Sequence, residues 1–287
     1  MHTRLNNIYA CNCEDCKTKT IHLAADSNGF FKDVLNAAKN ALKYLLTKQT
    51  FKEEDLGEEP YKRLIDETYK VFNKAIMDND VPDVMRKALQ SDAFLFGTLK
   101  TRAQMFEAST YLLNPDGTIK TWQQFERDFR QVFEDYNQNY LEAEYQFAVN
   151  SAQMAAKWTE LDDSGRYLLQ YRTAMDDRVR ESHQALEGIT LPKDDPFWRD
   201  FYPPNGWRCR CQVVEVSKAR YEASESEEAI AKGMAATQQI GKDGRNRLAM
   251  FRFNPGMEKK LFPPDHPYSK LKAVNDINVK NEENDKN

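Results

Sequence analysis

The chain of 287 residues has a formal net charge of −4, with 40% hydrophobic and 30% charged residues. This composition is typical of a soluble globular protein, and its slight acidity provides no overall attraction for nucleic acid. The first thirty residues lack a basic start followed by an apolar run, and no apolar cluster approaches the roughly 18–20 residues that span a bilayer. We therefore expect a protein that folds in the cytoplasm and has no membrane partner.

The cysteines form two groups at opposite ends of the chain: Cys11, Cys13 and Cys16, then Cys209 and Cys211. An odd number without a secretory signal argues against a disulfide framework. Cys13 and Cys16 have zinc-knuckle spacing, but no second pair with this spacing follows. A metal site and a tail with incidental thiols therefore both stay open for the first group. We assign residues 1–27 as a flexible N-terminal segment.

Residues 28–161 are predicted to be a helical region, because apolar residues recur there at spacings of three and four. The first predicted helices cover 28–49, a stretch that begins at Pro60, a stretch that begins at Pro82, and 92–111. Thr121 is a favourable N-cap residue, and no proline or glycine occurs from there to Trp158. This uninterrupted stretch predicts one long helix, or two in tandem.

The pattern changes near Asp162, and residues 162–268 are predicted to form a compact α+β core. Its predicted elements are a strand over 166–173, a helix over 175–186, a strand over 211–218, a helix over 224–237 and a strand within 251–256. Residues 269–287 are strongly polar, which predicts a disordered tail. The predicted fold class is α+β, mainly α: a helical N-terminal half with a long helix, followed by a small α+β C-terminal domain.

One set of side chains in this second half could carry chemistry. Cys209 and Cys211 point to the same side of an extended segment, and His183 lies on the predicted helix over 175–186. One imidazole and two thiolates are ligands that zinc prefers. Either acid of the Asp176–Asp177 pair could supply a fourth ligand. The candidate metal ligands are His183, Cys209, Cys211 and Asp177, and zinc is the candidate cofactor.

Two alternatives to a metal site stay open. The cysteine pair could pack under Trp207 without metal, while arginine–aspartate pairs tie helix to loop. Alternatively, Cys209 could act as a nucleophile with His183 as its base, because the flanking arginines would lower the pKa of the thiol. The sequence offers no oxyanion site and no third orienting group, and GxxxxGK[ST], GxSxG, HExxH and GxGxxG motifs are absent. We therefore expect no enzymatic activity and assign no catalytic residue.

Three stretches carry a long and specific combination of residues: "YLEAEYQFAVNSAQMAAKW", "YRTAMDDRVRESHQALEGITLP" and "DDPFWRDFYPPNGWRCRCQVVEV". They include D-x-R-V-R-x-x-H, a following L-x-G and PPNGWxCRC. Together they resemble the phage Mu protein F-like minor head proteins, also called the phage head morphogenesis domain family. The resemblance covers roughly Gly117 to Val216. The later stretch "FRFNPGMEKKLFPPDHPY" also resembles the segment that follows in some members.

The resemblance implies a phage or prophage minor head (capsid) protein that acts in head morphogenesis near the portal. The implied partners are the portal protein and the major capsid protein. The implied locations are the host cytoplasm during assembly and then the virion head. Packaged DNA is a further candidate partner, bound weakly. A DNA-contacting ejection or packaging protein is therefore the alternative function.

The resemblance also bears on the candidate metal ligands. Some relatives place a CxxC pair where this chain has Arg180 and His183, followed by the same CRC. In that pattern four ligands come together. Because Arg180 departs from it, a four-ligand site in this chain needs another donor, such as Asp176 or Asp177.

Overall fold

The structure, a computed structural model, describes residues 29–270. The predicted flexible segment 1–27, with its three cysteines, lies outside the described residues. The same holds for residues 271–287 of the predicted disordered tail. Residues 269 and 270, the first two of that predicted tail, are described and belong to a 3₁₀ turn, Pro267–Lys270.

Helices dominate the architecture. The α-helices are α1 (Lys32–Lys48), α2 (Glu59–Met77), α3 (Asp83–Ser109), α4 (Trp122–Glu134), α5 (Tyr140–Glu160), α6 (Glu181–Gln184), α7 (Pro196–Phe201), α8 (Ser226–Ala236) and α9 (Pro255–Glu258). The strands are β1 (Tyr167–Arg172), β2 (Thr190–Leu191) and β3 (Gln212–Ser217). Further 3₁₀ turns lie at Glu53–Gly57 and Ala249–Phe251. The predicted fold class, α+β and mainly α, is confirmed.

Local sequence signals set the ends of several helices. At the start of α4 the Thr121 hydroxyl accepts the Gln124 N–H at 3.4 Å, and the Gln124 side chain accepts the Thr121 N–H at 2.8 Å. This reciprocal capping confirms the predicted N-cap. Pro60 lies in the first turn of α2, as predicted. The predicted break before residue 92 is wrong, because residues 83–96 contain no proline or glycine to interrupt α3.

The predicted long helix is present and contains one irregular turn. A π-helical turn, Asp135–Asn139, joins α4 to α5, so that helix continues from residue 122 to 160. Within this turn Tyr136 and Asn137 are buried. The Asn137 side chain donates to the carbonyl oxygen of Phe133 at 2.9 Å. No helix within residues 29–270 combines the length and apolar character that a membrane span needs.

The main hydrophobic core joins the first-half helices to residues 250–268. Phe262 stacks on Phe96 of α3 with ring centroids 3.7 Å apart. The Asp92 carboxylate of α3 accepts two backbone N–H groups of the same C-terminal segment, at 2.9 and 3.0 Å. Packing therefore crosses the predicted division at residue 162. That division itself stays a prediction.

A small antiparallel sheet in the order β2-β1-β3 covers a second core. In its register Leu169 lies opposite both Leu191 and Glu215. Both predicted long strands are confirmed as β1 and β3. The second core includes Cys209 and Cys211 together with aromatic side chains of α7. The sheet and α7 thus enclose the cysteine pair.

Two predicted elements in this half are wrong. The helix expected over 175–186 is reduced to α6, because Met175 has a left-handed φ of 55° and the Asp176 side chain accepts the Arg178 N–H at 3.1 Å in a turn. The strand expected within 251–256 is absent. There the Asn254 side chain caps α9, which begins at Pro255.

Candidate functional site

Three of the four candidate metal ligands converge in the second core. His183 lies on α6, and Cys209 and Cys211 lie in the loop before β3. The Nδ1 atom of His183 is 3.7 Å from Sγ of Cys209 and 3.6 Å from Sγ of Cys211. The three ligand atoms all lie within 4.8 Å of one another, and all three residues are buried. This grouping has the chemistry of a soft N/S metal site.

Asp177, the fourth candidate ligand, does not join this group. It is exposed, and within residues 29–270 the converging set comprises the histidine and the two cysteines. The other candidate acid, Asp176, accepts from Arg210 at 2.6 and 2.7 Å and from Arg178 at 3.3 Å. The reason is local: without a helix over 175–180, the two aspartates do not share a helical face with His183. Zinc binding stays a prediction.

A tight turn presents the two cysteines. The Cys209 N–H donates to the Gly206 carbonyl at 3.1 Å, and Arg208 has a φ of 57° inside this turn. The neighbouring Trp207 is buried, and its ring packs edge-on against Phe147 at 5.0 Å and Phe251 at 5.1 Å. The tryptophan therefore anchors the turn in the main core while the cysteines enter the second one.

Polar side chains hold this loop in place from several elements. Asn150 of α5 donates its side-chain amide to the Cys209 carbonyl at 2.6 Å. Arg180, which precedes α6, donates to the Trp207 carbonyl. The Tyr171 hydroxyl of β1 donates to the Asn205 side chain at 3.0 Å. These bonds satisfy buried backbone and side-chain groups around the cluster, as buried polar groups require.

Sequence analysis assigned no role to Asn150 or Tyr171. Asn150 is 59 residues from Cys209, so no spacing rule joins the two. The available signal was a polar asparagine inside the apolar run "FAVNSA". A buried polar residue on an apolar helix face needs a partner. That partner is the cysteine loop.

The two thiols ionise differently. The pKa of Cys209 lies well below its ordinary value, because its thiolate accepts a hydrogen bond from Cys211 and faces His183. The same hydrogen bond, together with burial, raises the pKa of Cys211. Their shared hydrogen bond therefore moves the two pKa values in opposite directions.

Arginines surround the outer side of the cluster. An opening leads from the surface to His183 and the two cysteines, and it is lined by Ala174, Arg178, Val179, Arg180, Arg208 and Arg210. The Asp176 carboxylate bridges two of these arginines and neutralises part of their charge. Its own pKa is held below the ordinary range, chiefly by the hydrogen bonds from Arg210. The opening is therefore cationic.

Comparison with known proteins identifies the segment that holds this site. Residues 118–214 match the model of the family described as Phage Mu protein F like protein. Over 51 residues the chain is 49% identical to the putative capsid assembly protein F of Escherichia phage Mu. This matched stretch covers 18% of this chain and 12% of that protein. Over 71 residues it is 38% identical to the Mu-like prophage FluMu F protein of Haemophilus influenzae, which covers 25% and 17%.

The matches thus span less than a fifth of either relative. No solved structure matches the chain. The family segment runs from just before α4 into β3, and it contains His183, Cys209 and Cys211. Residues 118–214 therefore match the phage Mu protein F-like family.

Proposed function

We propose that the protein is a phage or prophage minor head protein that acts in head morphogenesis near the portal, without enzymatic activity. The observation that carries this proposal is the family match, which covers the long helix and the whole cysteine–histidine cluster. One relative of that segment is named a putative capsid assembly protein, and another belongs to a Mu-like prophage.

The geometry of the cluster supports a structural role for it. His183, Cys209 and Cys211 are each at most 5% exposed. The loop that carries the cysteines is bonded to α5 and packed against the main core through Trp207. A cluster that closes a loop in this way stabilises the fold.

The proposed partners are the portal protein and the major capsid protein. The chain would bind them in the host cytoplasm during assembly and remain with them in the virion head. Contact surfaces need exposed apolar side chains, and α3 carries Val84, Phe94 and Leu95 with 77%, 47% and 54% exposure. Met77, at the end of α2, is 55% exposed. The helical region is therefore the part of the chain proposed to dock on the head.

Coexpression tests this proposal. The full chain is tagged and produced together with the portal protein and major capsid protein encoded beside it. We expect the tagged chain to retain one or both through purification, and Leu95→Asp to weaken the capture more than Lys87→Asp on the same helix. Capture of neither protein would count against a role at the portal or capsid.

The DNA-contacting alternative is favoured by one feature, the arginine-lined opening. Phosphate contacts by a few arginines give weak and salt-sensitive binding, and the whole chain has a net charge of −4. We therefore propose weak DNA contact at most. Nanomolar binding to duplex DNA at physiological salt would favour the alternative over the head-assembly role.

A further inference from the structure

The nitrogen–sulfur distances of the cluster match those of a tetrahedral zinc site. With zinc–sulfur bonds of about 2.3 Å and zinc–nitrogen bonds of about 2.0–2.1 Å, tetrahedral angles place sulfur and nitrogen about 3.6 Å apart. The His183 nitrogen lies 3.6 and 3.7 Å from the two sulfurs. The His183 nitrogen is therefore already spaced from both sulfurs as zinc requires, and the Asn150 hydrogen bond to Cys209 helps to hold the cysteine loop in place.

Three ligands leave one tetrahedral position to fill. Within residues 29–270 no aspartate, glutamate, histidine or further cysteine joins the converging set. The cluster is closed by the protein on its inner side, where it contacts the second core. On its outer side it meets the opening. The fourth position of a bound ion thus faces the opening.

The charges around the opening determine which kind of fourth ligand the ion would accept. Two thiolates and a neutral imidazole would make a zinc centre with no net charge. Four arginines line the opening, while the nearby acids Asp177 and Glu181 do not. Arg208 is exposed and forms no ion pair within residues 29–270. The position therefore lies in a cationic surrounding that favours an anion.

Two of these arginines already bind a carboxylate within the chain. The Asp176 carboxylate accepts two hydrogen bonds from Arg210, at 2.6 and 2.7 Å, and a third from Arg178. A planar carboxylate matches the guanidinium fork, and carboxylate oxygen is also an ordinary zinc ligand. A second carboxylate entering the opening could contact the ion with one oxygen and Arg208 with the other.

We propose that His183, Cys209 and Cys211 bind one zinc ion whose fourth ligand is a carboxylate from another molecule, admitted through the arginine-lined opening. The inference goes beyond the head-assembly role and does not depend on it. Its ligand class is a carboxylate, whether a free small acid or an acidic side chain of a partner protein.

Cobalt(II) provides the test, because its ligand-field spectrum reports the coordination of a site that zinc leaves colourless. The full chain is prepared with Cys11, Cys13 and Cys16 each replaced by serine, so that Cys209 and Cys211 are the remaining thiols. We expect one cobalt per chain with sulfur-to-cobalt charge-transfer absorption, displaced by zinc. Acetate at constant ionic strength should then shift the ligand-field bands, while inorganic phosphate should not.

Two arginine variants make the test specific. Arg208→Ala removes a cation from the opening and should weaken acetate binding about tenfold, the effect of one lost charged contact. Arg220→Ala removes an exposed arginine that does not line the opening, and it should leave acetate binding unchanged. Both side chains are exposed, so neither variant should impair folding.

Free acetate and an acidic peptide distinguish the two sources of the carboxylate. Free acetate that shifts the spectrum supports a carboxylate ligand of either source. An acidic peptide that binds more tightly than acetate assigns the ligand to a partner protein. The proposal would be overturned if the protein with all four lining arginines bound no stoichiometric metal, or if acetate left its spectrum unchanged. A response to phosphate alone, or equal weakening of acetate binding by Arg208→Ala and Arg220→Ala, would also overturn it.

Discussion

The side-chain amide of Asn150 on α5 donates to the carbonyl oxygen of Cys209 at 2.6 Å, and both residues are buried. Removal of the amide would leave that carbonyl without this donor. Because such a loss costs about 1–3 kcal/mol, we expect Asn150→Ala to lower the free energy of unfolding by that amount in urea titrations. The exposed α4 variant Gln131→Ala serves as control and should change it by less than about 0.5 kcal/mol. Equal effects of the two variants would contradict this role of Asn150.

Lys100 on α3 and Glu144 on α5 form a buried ion pair at 2.9 Å, with side-chain exposures of 2% and 0%. The Tyr268 hydroxyl also donates to Glu144, at 3.0 Å. Removal of either partner leaves an uncompensated charge in the core. Lys100→Met and Glu144→Gln should therefore each lower the free energy of unfolding by about 3–5 kcal/mol. The double variant should lose clearly less than the sum of the two. Additive losses in this double-mutant cycle would show that the residues act independently.

His266 predicts a pH dependence of stability. Burial, together with the nearby Lys100 charge, holds the pKa of His266 well below its ordinary value of 6.5. Below pH 6.5 the unfolded chain binds a proton there and the folded chain does not, so stability falls as the pH falls, by up to about 1.4 kcal/mol per pH unit. Denaturant titrations between pH 7.5 and 5.5 should show this slope. His266→Gln should reduce it, and an unchanged slope would exclude His266 as its source.

Cleavage of the exposed stretch 163–165 tests how the two halves hold together. Because residues 250–268 pack into the core of the first-half helices, we expect the two fragments of a nicked chain to co-elute in size-exclusion chromatography. The fragment 166–287 produced alone should show weak near-ultraviolet circular dichroism, since Phe262 and its neighbours lose their partners. A stable and well-packed isolated fragment would instead favour the predicted compact α+β core over residues 162–268 as a separate domain.

Features that act within a few residues could be predicted from the sequence. The cap at Thr121, the proline at the start of α2 and the positions of strands β1 and β3 follow from patterns of neighbouring residues. The convergence of His183 with the two cysteines was also predictable, because metal-ligand chemistry restricts which residues can be partners.

Features that depend on distant contacts could not be predicted. Asp92 binds backbone groups 169 and 170 residues away, and no local pattern encodes that choice. The position of Asp177 depends on the left-handed backbone of Met175. A methionine there carries no turn signal, since glycine or asparagine usually adopts that conformation.

The π-helical turn at Asp135–Asn139 sets the angular phase of the long helix. One added residue advances every later side chain by about 100° relative to an uninterrupted α-helix. Ahead of the turn, Phe125 and Phe129 stack on each other within the main core. Beyond it, Phe147 points to the ring of Trp207. Excision of one residue from the turn would therefore rotate Phe147 away from Trp207 and the cysteine loop.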